Sequence, residues 1–286
     1  VIPSGDFFLG QNIRKKGEDI KKGKIIIKMG RKIRIIDLGF LSSIGLKKVK
    51  VFKKLSIWIF STGNEIITDA TDNFKNKIFD SNMLSLFSML ERLGCEPKNL
   101  GIIKDNYEDS KRSILKSLKI CDILITTGGI SSSETDHIKT FMLKSGNIKF
   151  SKIAIKPGRP FSFAIVKKKP LLGLPGNPVA VIVVFLMFVV NFIRKISGIN
   201  NHQIHFNLIP SSFDFKKKKN RKEWIRGSEF QKNGKLFLKK FPNEGSGILS
   251  SIFTTQGIIE LDEKTEYIRK GDLLKFYRYE DILNWK

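Results

Sequence analysis

Apolar residues change their spacing along the chain, and the changes predict its elements. Residues 55–60 form a nearly unbroken apolar run, as expected of a parallel strand covered on both faces, and Ser61-Thr62-Gly63 ends it. Residues 82–93 carry Leu84, Phe87, Leu90 and Leu93 at helical spacing and stop at Gly94. A strand at 99–103, a helix at 107–118 with Ile114, Leu115 and Leu118 inward, and a strand at 122–126 halted by Gly128-Gly129 follow. A helix at 136–143, strands at 152–155, 161–166 and 170–172, and a long helix at 179–197 complete this stretch. Alternating strands and helices predict an α/β fold: a doubly wound, mostly parallel sheet with helices on both faces.

The flanks read differently. Residues 24–28 and 48–52 have the composition of short strands around a helix at 33–44 that ends at Gly45. This is a partial α+β unit, too small for an independent core. From residue 203 onward short β-like runs appear at 205–209, 224–229, 235–239, 257–261 and 273–277, with Asn233-Gly234 as a hairpin signal. A small all-β domain is expected there. The predicted division is 1–53, 54–202 and 203–286.

Composition narrows the classes. The chain has 52 Lys+Arg against 27 Asp+Glu, a net charge of +25. Nucleic-acid binding and attraction of small polyanions both fit such a charge. So does a codon bias toward Lys, Ile, Phe and Asn, which the scatter of lysines through every segment favours. The densest run, Lys216 to Lys219, reads as an exposed loop or hairpin, and no nucleic-acid motif accompanies it. The apolar stretch 179–190 is shorter than the roughly 20 residues a membrane span needs, so it reads as a buried core helix after Gly176-Asn177-Pro178. Val1-Ile2-Pro3-Ser4-Gly5-Asp6 has neither the basic start nor the apolar region of a signal peptide. The missing initial Met marks a fragment or a non-standard start. Cys95 and Cys121 have no partner at metal-ligand spacing, which points to a reducing, cytoplasmic location.

In a doubly wound sheet, ligands bind beyond the carboxyl ends of the strands. The predicted strands end in Ser61-Thr62-Gly63-Asn64-Glu65, in Lys104-Asp105 and in Thr127-Gly128-Gly129-Ile130-Ser131. Glycines there let backbone approach a ligand, and small hydroxyls can meet phosphate oxygens; each loop alone is equally well an ordinary turn. Lys152 and Lys156 flank Pro157-Gly158-Arg159-Pro160, and even spacing on a strand would turn both toward one anion or toward solvent. Asp19, Glu65, Asp105 and Asp136 suit a magnesium–phosphate site, or individually a helix cap or surface charge.

The ordered motifs resemble one family. Gly10-Gln11-Asn12-Ile13-Arg14-Lys15-Lys16-Gly17-Glu18-Asp19 is similar to a segment of molybdopterin molybdenumtransferases. Phe60 to Glu65, Phe79-Asp80-Ser81-Asn82, Leu93 to Glu96, Gly101 to Asp105, Thr127 to Ser131, Ala154 to Pro160 and Gly173 to Val179 match in order. Arg226-Gly227, Gly245-Ser246-Gly247 and Gly271-Asp272 fit the family's last domain, and the C-terminal domain of gephyrin shares the fold.

The resemblance implies insertion of molybdate into adenylated molybdopterin with release of AMP, using Mg²⁺. It implies active-site roles for Asp19, Glu65, Asp105, Asp136, Lys152 and Lys156, with the four acids as metal ligands. Ser61, Thr62, Gly63, Asp80, Gly128, Gly129, Ser131, Gly158, Pro175, Gly176, Asn177 and Pro178 would line the substrate. It also implies a homodimer with the active site near the subunit interface, and contact with the molybdopterin adenylyltransferase. Neither nucleic acid nor membrane is an expected partner. Ser133 stands where the family pattern has glycine, Ala180 where it often has serine, and no counterpart of the family's long N-terminal segment with its additional active-site Asp occurs. A fragment that binds molybdopterin without turnover is the alternative.

Overall fold

The computed structural model describes residue 5 and residues 8–68, 75–104, 106–130, 136–200 and 203–283. The first segment forms one helix, α1 (Ile35–Ser43). Hydrogen bonds from Arg34, together with the charge of Arg31, hold the Asp37 carboxyl at about 2 and fix the start of α1. The strands expected at 24–28 and 48–52 do not form. A strand needs a partner, and this segment offers none; Ile25, Met29 and Val51 stay exposed.

The central unit follows the predicted alternation. Strand β1 (Ser56–Thr62) is followed by a short parallel pair, β2 (Ile66–Ile67) with β3 (Ile78–Phe79). Then come α2 (Ser81–Arg92), β4 (Glu96–Ile103), α3 (Tyr107–Ser117), β5 (Ile123–Thr127) and α4 (His137–Ser145). Strands β6 (Asn147–Phe150), β7 (Ile155–Lys156), β8 (Ser162–Val166) and β9 (Lys169–Leu174) precede the long helix. The main sheet has the order β4-β1-β5-β9-β8-β6. The first four strands are parallel, while β8 runs antiparallel to both β9 and β6.

The apolar runs are explained by burial on both faces. Trp58, Phe60, Leu124 and Leu171 pack under α3 and α4 against Ile114, Ile138 and Phe141. Ile57, Ile59, Ile123, Ile125 and Leu172 turn the other way, toward Leu86 and Leu90 of α2 and Val181 and Phe185 of the long helix. The strand expected at 152–155 shrinks to β7, which leaves the main sheet and pairs with a strand of the C-terminal unit, Lys222–Lys232.

The long helix runs from Pro178 to Ile196, 19 residues with mean hydropathy 2.4, and its most apolar window is 67% buried. Length and composition would let it cross a membrane; its packing makes it the core helix the sequence predicts. It comprises α5 (Pro178–Val184), a π-helical turn (Phe185–Val189) and α6 (Val190–Ile196). The wider turn seats Phe188 between Phe161, a tilted contact with centroids 5.7 Å apart, and Trp224, an edge-on contact at 5.5 Å.

The C-terminal unit contains β10 (Asn207–Pro210), β11 (Phe215–Lys216), β12 (Lys222–Lys232), β13 (Lys235–Lys240), α7 (Ser250–Phe253), β14 (Gly257–Leu261), β15 (Tyr267–Ile268), β16 (Leu273–Arg278) and α8 (Tyr279–Leu283). Its sheet has the order β10-β16-β14-β12-β13, and the β12–β13 hairpin turns at Asn233-Gly234 as predicted. Beneath it, the Glu260 carboxylate accepts from Trp224 Nε1 at 3.2 Å and Tyr277 Oη at 3.1 Å, closing a buried polar group against the apolar junction.

Cys95 and Cys121 are free and buried. Burial pushes both thiols up to about 11. At pH 8 only about one thiol in a thousand is then ionised in the folded chain, so neither cysteine is expected to react with a thiolate-selective disulfide reagent until the protein is unfolded. Rapid titration of either thiol without denaturant would contradict this burial.

Candidate functional site

The order β4-β1-β5 makes the carboxyl ends of β1 and β5 the switch point of the sheet, where successive connections leave in opposite directions. Two glycine-bearing loops meet there. Gly128 has φ +88°, and a Cβ on it would overlap the Thr62 carbonyl oxygen. Gly129 has φ +65°, and its Cβ would stand 2.8 Å from Thr62 Oγ1 and 2.8 Å from Ile138 Cγ1. Only glycine permits both the conformation and the approach. Across the crevice the Glu65 carboxylate folds back over Gly63, both oxygens 2.9 Å from where a Cβ would be.

A hydrogen-bond stitch binds three loops into one wall. Asn82, in the first turn of α2, donates from Nδ2 to Thr127 Oγ1 at 2.9 Å and to the Gly176 carbonyl at 2.7 Å. Thr127 Oγ1 donates in turn to the Pro175 carbonyl at 3.0 Å. Asp80 Oδ1 caps α2 by accepting from the amides of Asn82 at 3.1 Å and Met83 at 3.0 Å. Asp136 is buried at the N-cap position of α4, where its side chain does not cap the helix.

The chemistry of this wall lies in what it leaves unsatisfied. Ser61 Oγ, Thr62 Oγ1, Thr126 Oγ1, Asp80 Oδ2 and Asn82 Oδ1 are all buried and without a hydrogen-bond partner. Each such group costs about 1–3 kcal/mol. Asp80 and Asn82 belong to the head of α2 and Ser61, Thr62 and Thr126 to the ends of β1 and β5, so the set gathers where a doubly wound sheet binds its ligands.

The remaining predicted residues divide. Pro175, Gly176, Asn177 and Pro178 continue the wall into the long helix. Asn177 Nδ2 donates to Ser246 Oγ at 3.0 Å, and the Val179 amide donates to the Ser246 carbonyl at 3.2 Å, so the C-terminal unit closes one side. Gly158, φ +103°, packs against Val184 and Ile155 rather than opening a ligand surface. Lys156 lies 2.6 Å from Glu244 and 3.4 Å from Glu223. Lys152 is exposed and precedes a turn in which the Ile155 amide donates to the Ile153 carbonyl at 2.9 Å. Residues 152–156 therefore do not form the single strand that would align both lysines. Asp19 is exposed, on a segment fastened elsewhere: the Asn200 amide donates to the Gly30 carbonyl at 3.1 Å, beyond the far end of the long helix. That helix is about 28 Å long. Asp105, Ser131 and Ser133 lie outside the described residues. Among the described residues no three metal-ligating side chains cluster.

Sequence reasoning missed the structural role of Asn82, and it missed Thr126 and Lys77, whose Nζ donates to the Asn64 carbonyl at 2.5 Å. A cleft of 870 Å³ lined by residues 24–33 and 49–55 with Leu93 and Cys95 borders none of the predicted site residues.

Comparison with known proteins places these features among relatives. Residues 58–195 match the family model described as a probable molybdopterin binding domain, and residues 209–279 match the MoeA C-terminal region (domain IV). The chain is 31% identical over 276 residues to the molybdopterin molybdenumtransferase of Haemophilus influenzae, covering 96% of this chain and 68% of that one. It is 32% identical over 305 residues to gephyrin of Dictyostelium discoideum, covering 93% of this chain and 42% of that one. The crystal structure of the molybdopterin biosynthesis MoeA protein from Pyrococcus horikoshii superposes with a TM-score of 0.75 at 30% identity, covering 92% of this chain and 63% of that one. The chain thus spans about two thirds or less of the length of these relatives.

Proposed function

Because the chain belongs to the molybdopterin molybdenumtransferase family, we propose that it carries the catalytic crevice of an enzyme that inserts molybdate into adenylated molybdopterin and releases AMP. The observation that carries this reading is the set of five unsatisfied buried oxygens at the switch point of the sheet. They gather around the loops where Gly128 and Gly129 pack against Thr62 at the carboxyl ends of β1 and β5. Hydroxyls of Ser61, Thr62 and Thr126 bind phosphate or pterin polar atoms there. Lys152 and Lys156, on the β7 loop, draw the anionic groups, and the overall positive charge raises their local concentration.

Mg²⁺ is the metal ion of this proposal, one that needs few carboxylates from the protein. Asp80 has one buried oxygen to spare, Glu65 stands over Gly63, and Asp136 is buried at the head of α4. One or two carboxylates with substrate phosphates suffice for this ion, which when bound neutralises charge on the phosphoanhydride. Glu65, Asp136 and Asp105 are the proposed ligands on this chain. No nucleophilic side chain is required: water or a molybdate oxygen attacks the phosphoanhydride while the wall fixes its orientation.

Asp19 is proposed to act across a homodimer. Its segment is fastened at the opposite end of the sheet and carries exposed apolar residues, Ile25, Ile35 and Ile36 among them, that a second copy would cover. Two buried, free cysteines accord with a cytoplasmic location. A substrate of this kind is handed over by an adenylyltransferase, so a contact with that enzyme is part of the proposal. Retention without turnover is the less favoured alternative, since the relatives are named for the transfer itself.

The test is direct. The purified chain, given adenylated molybdopterin, molybdate and Mg²⁺, is expected to release AMP in a molybdate-dependent manner. Pterin binding with no AMP release, even after a relative's N-terminal segment is supplied in trans, would replace this reading with the binding-only one.

A further inference from the structure

Lys156 is already engaged. An ammonium offers three donors, and two carboxylates stand against this one: Glu244 at 2.6 Å and Glu223 at 3.4 Å. The two differ in kind. Glu223 belongs to the scaffold: its side chain is 1% exposed, it pairs with Arg221 at 2.7 Å, and β7–β12 pairing sets it in register with Lys156. Glu244 has a 41% exposed side chain and sits in the loop between β13 and α7.

That loop is held over the crevice. Arg226 Nη2 donates to the carbonyls of Asn243 at 3.1 Å and Gly245 at 3.2 Å. Ser246 meets Asn177 and the Val179 amide at the head of the long helix. The loop therefore delivers a carboxylate to the lysine from a fixed frame. A carboxylate oxygen 2.6 Å from an ammonium occupies the position a phosphate or molybdate oxygen would take.

We infer that Glu244 is a resident competitor for Lys156, a residue that sets how strongly an anion must bind before it gains the lysine. This rests on the reading of Lys156 as an anion-binding group of the crevice. With Glu244 in place the charges of Lys156 and Arg221 are balanced by Glu223 and Glu244. An incoming dianion must displace Glu244 into solvent, which its exposure permits, while buried Glu223 keeps the ammonium in place. The same exchange in reverse expels a product anion.

Calorimetry on the full chain at low ionic strength, with inorganic molybdate and with AMP as probes, tests this. Glu244→Gln is expected to tighten both about tenfold, a gain that shrinks as salt is raised. In a Lys156→Met background the same change is expected to give no gain. Glu244→Ala serves as the second variant on this exposed loop and is expected to behave as the glutamine does. Unchanged or weaker anion binding in both Glu244 variants overturns the inference, as does a gain that persists without Lys156. Anion binding is measured without turnover, so absence of AMP release would count against the proposed function and leave this result standing.

Discussion

A Gly128→Ala chain is expected to unfold about 2–6 kcal/mol more easily than the parent and to lose AMP release altogether. The estimate has two parts. Holding a non-glycine residue at φ +88° costs about 1–3 kcal/mol. The methyl group would also overlap the Thr62 carbonyl, which belongs to the end of β1 and cannot swing aside as a flexible side chain would. Overpacking of this kind adds about 1–3 kcal/mol. Relief comes only by parting β1 from β5 at their carboxyl ends, which is the crevice itself. Urea unfolding followed by circular dichroism measures the first effect and AMP release the second. Gly234→Ala is the control: its φ is +73° but nothing lies within 4 Å of its Cβ position, so only the conformational part should appear. If the two variants lose equal stability, the close approach of the loops is not what makes Gly128 necessary.

Asn82→Ala is the second large effect, expected in kcat/KM more than in stability. The substitution removes donors to Thr127 Oγ1 and to the Gly176 carbonyl, which are the links between α2, the β5 end and the loop before the long helix. Leaving such partners unsatisfied costs about 1–3 kcal/mol. Loops that position a substrate tolerate little drift, and displacement of about 1 Å can cost about 10²-fold in rate. The expected result is a drop of that order in kcat/KM with a folded, monodisperse protein. Asn82→Asp keeps the shape and removes the donor amide, so it should be at least as poor; near-normal turnover in Asn82→Asp would show that the stitch has no part in the reaction.

The sequence was most legible where one physical cause dominates. Unbroken apolar runs such as residues 57–60 and 123–125 can be satisfied only between two layers of helix, and they are. Gly128 and Gly129 were legible as a loop, yet their partner was not, because contact with Thr62 depends on the strand order. The run at 152–155 does not reveal its partner, because alternation of apolar and charged residues does not say which sheet a strand joins; β7 joins the C-terminal one. Residues 24–28 and 48–52 had strand composition and no partner, and composition cannot supply one. The role of Asn82 is invisible in the sequence, since its acceptors lie 45 and 94 residues away. Glu244 could not be singled out at all: a lone acid in a loop acquires meaning only through the lysine 88 residues before it.

The loan of Ile155 and Lys156 to the edge of β12 has a consequence for anyone wishing to divide this protein. A cut near residue 202 separates two sequence families but severs a shared edge. The excised C-terminal piece would present the start of β12 with open main-chain donors and acceptors, beside a Trp224 stripped of Phe188, and such edges recruit other molecules. The two halves are therefore expected to fold as one unit, and a split protein would need both pieces present to close this edge.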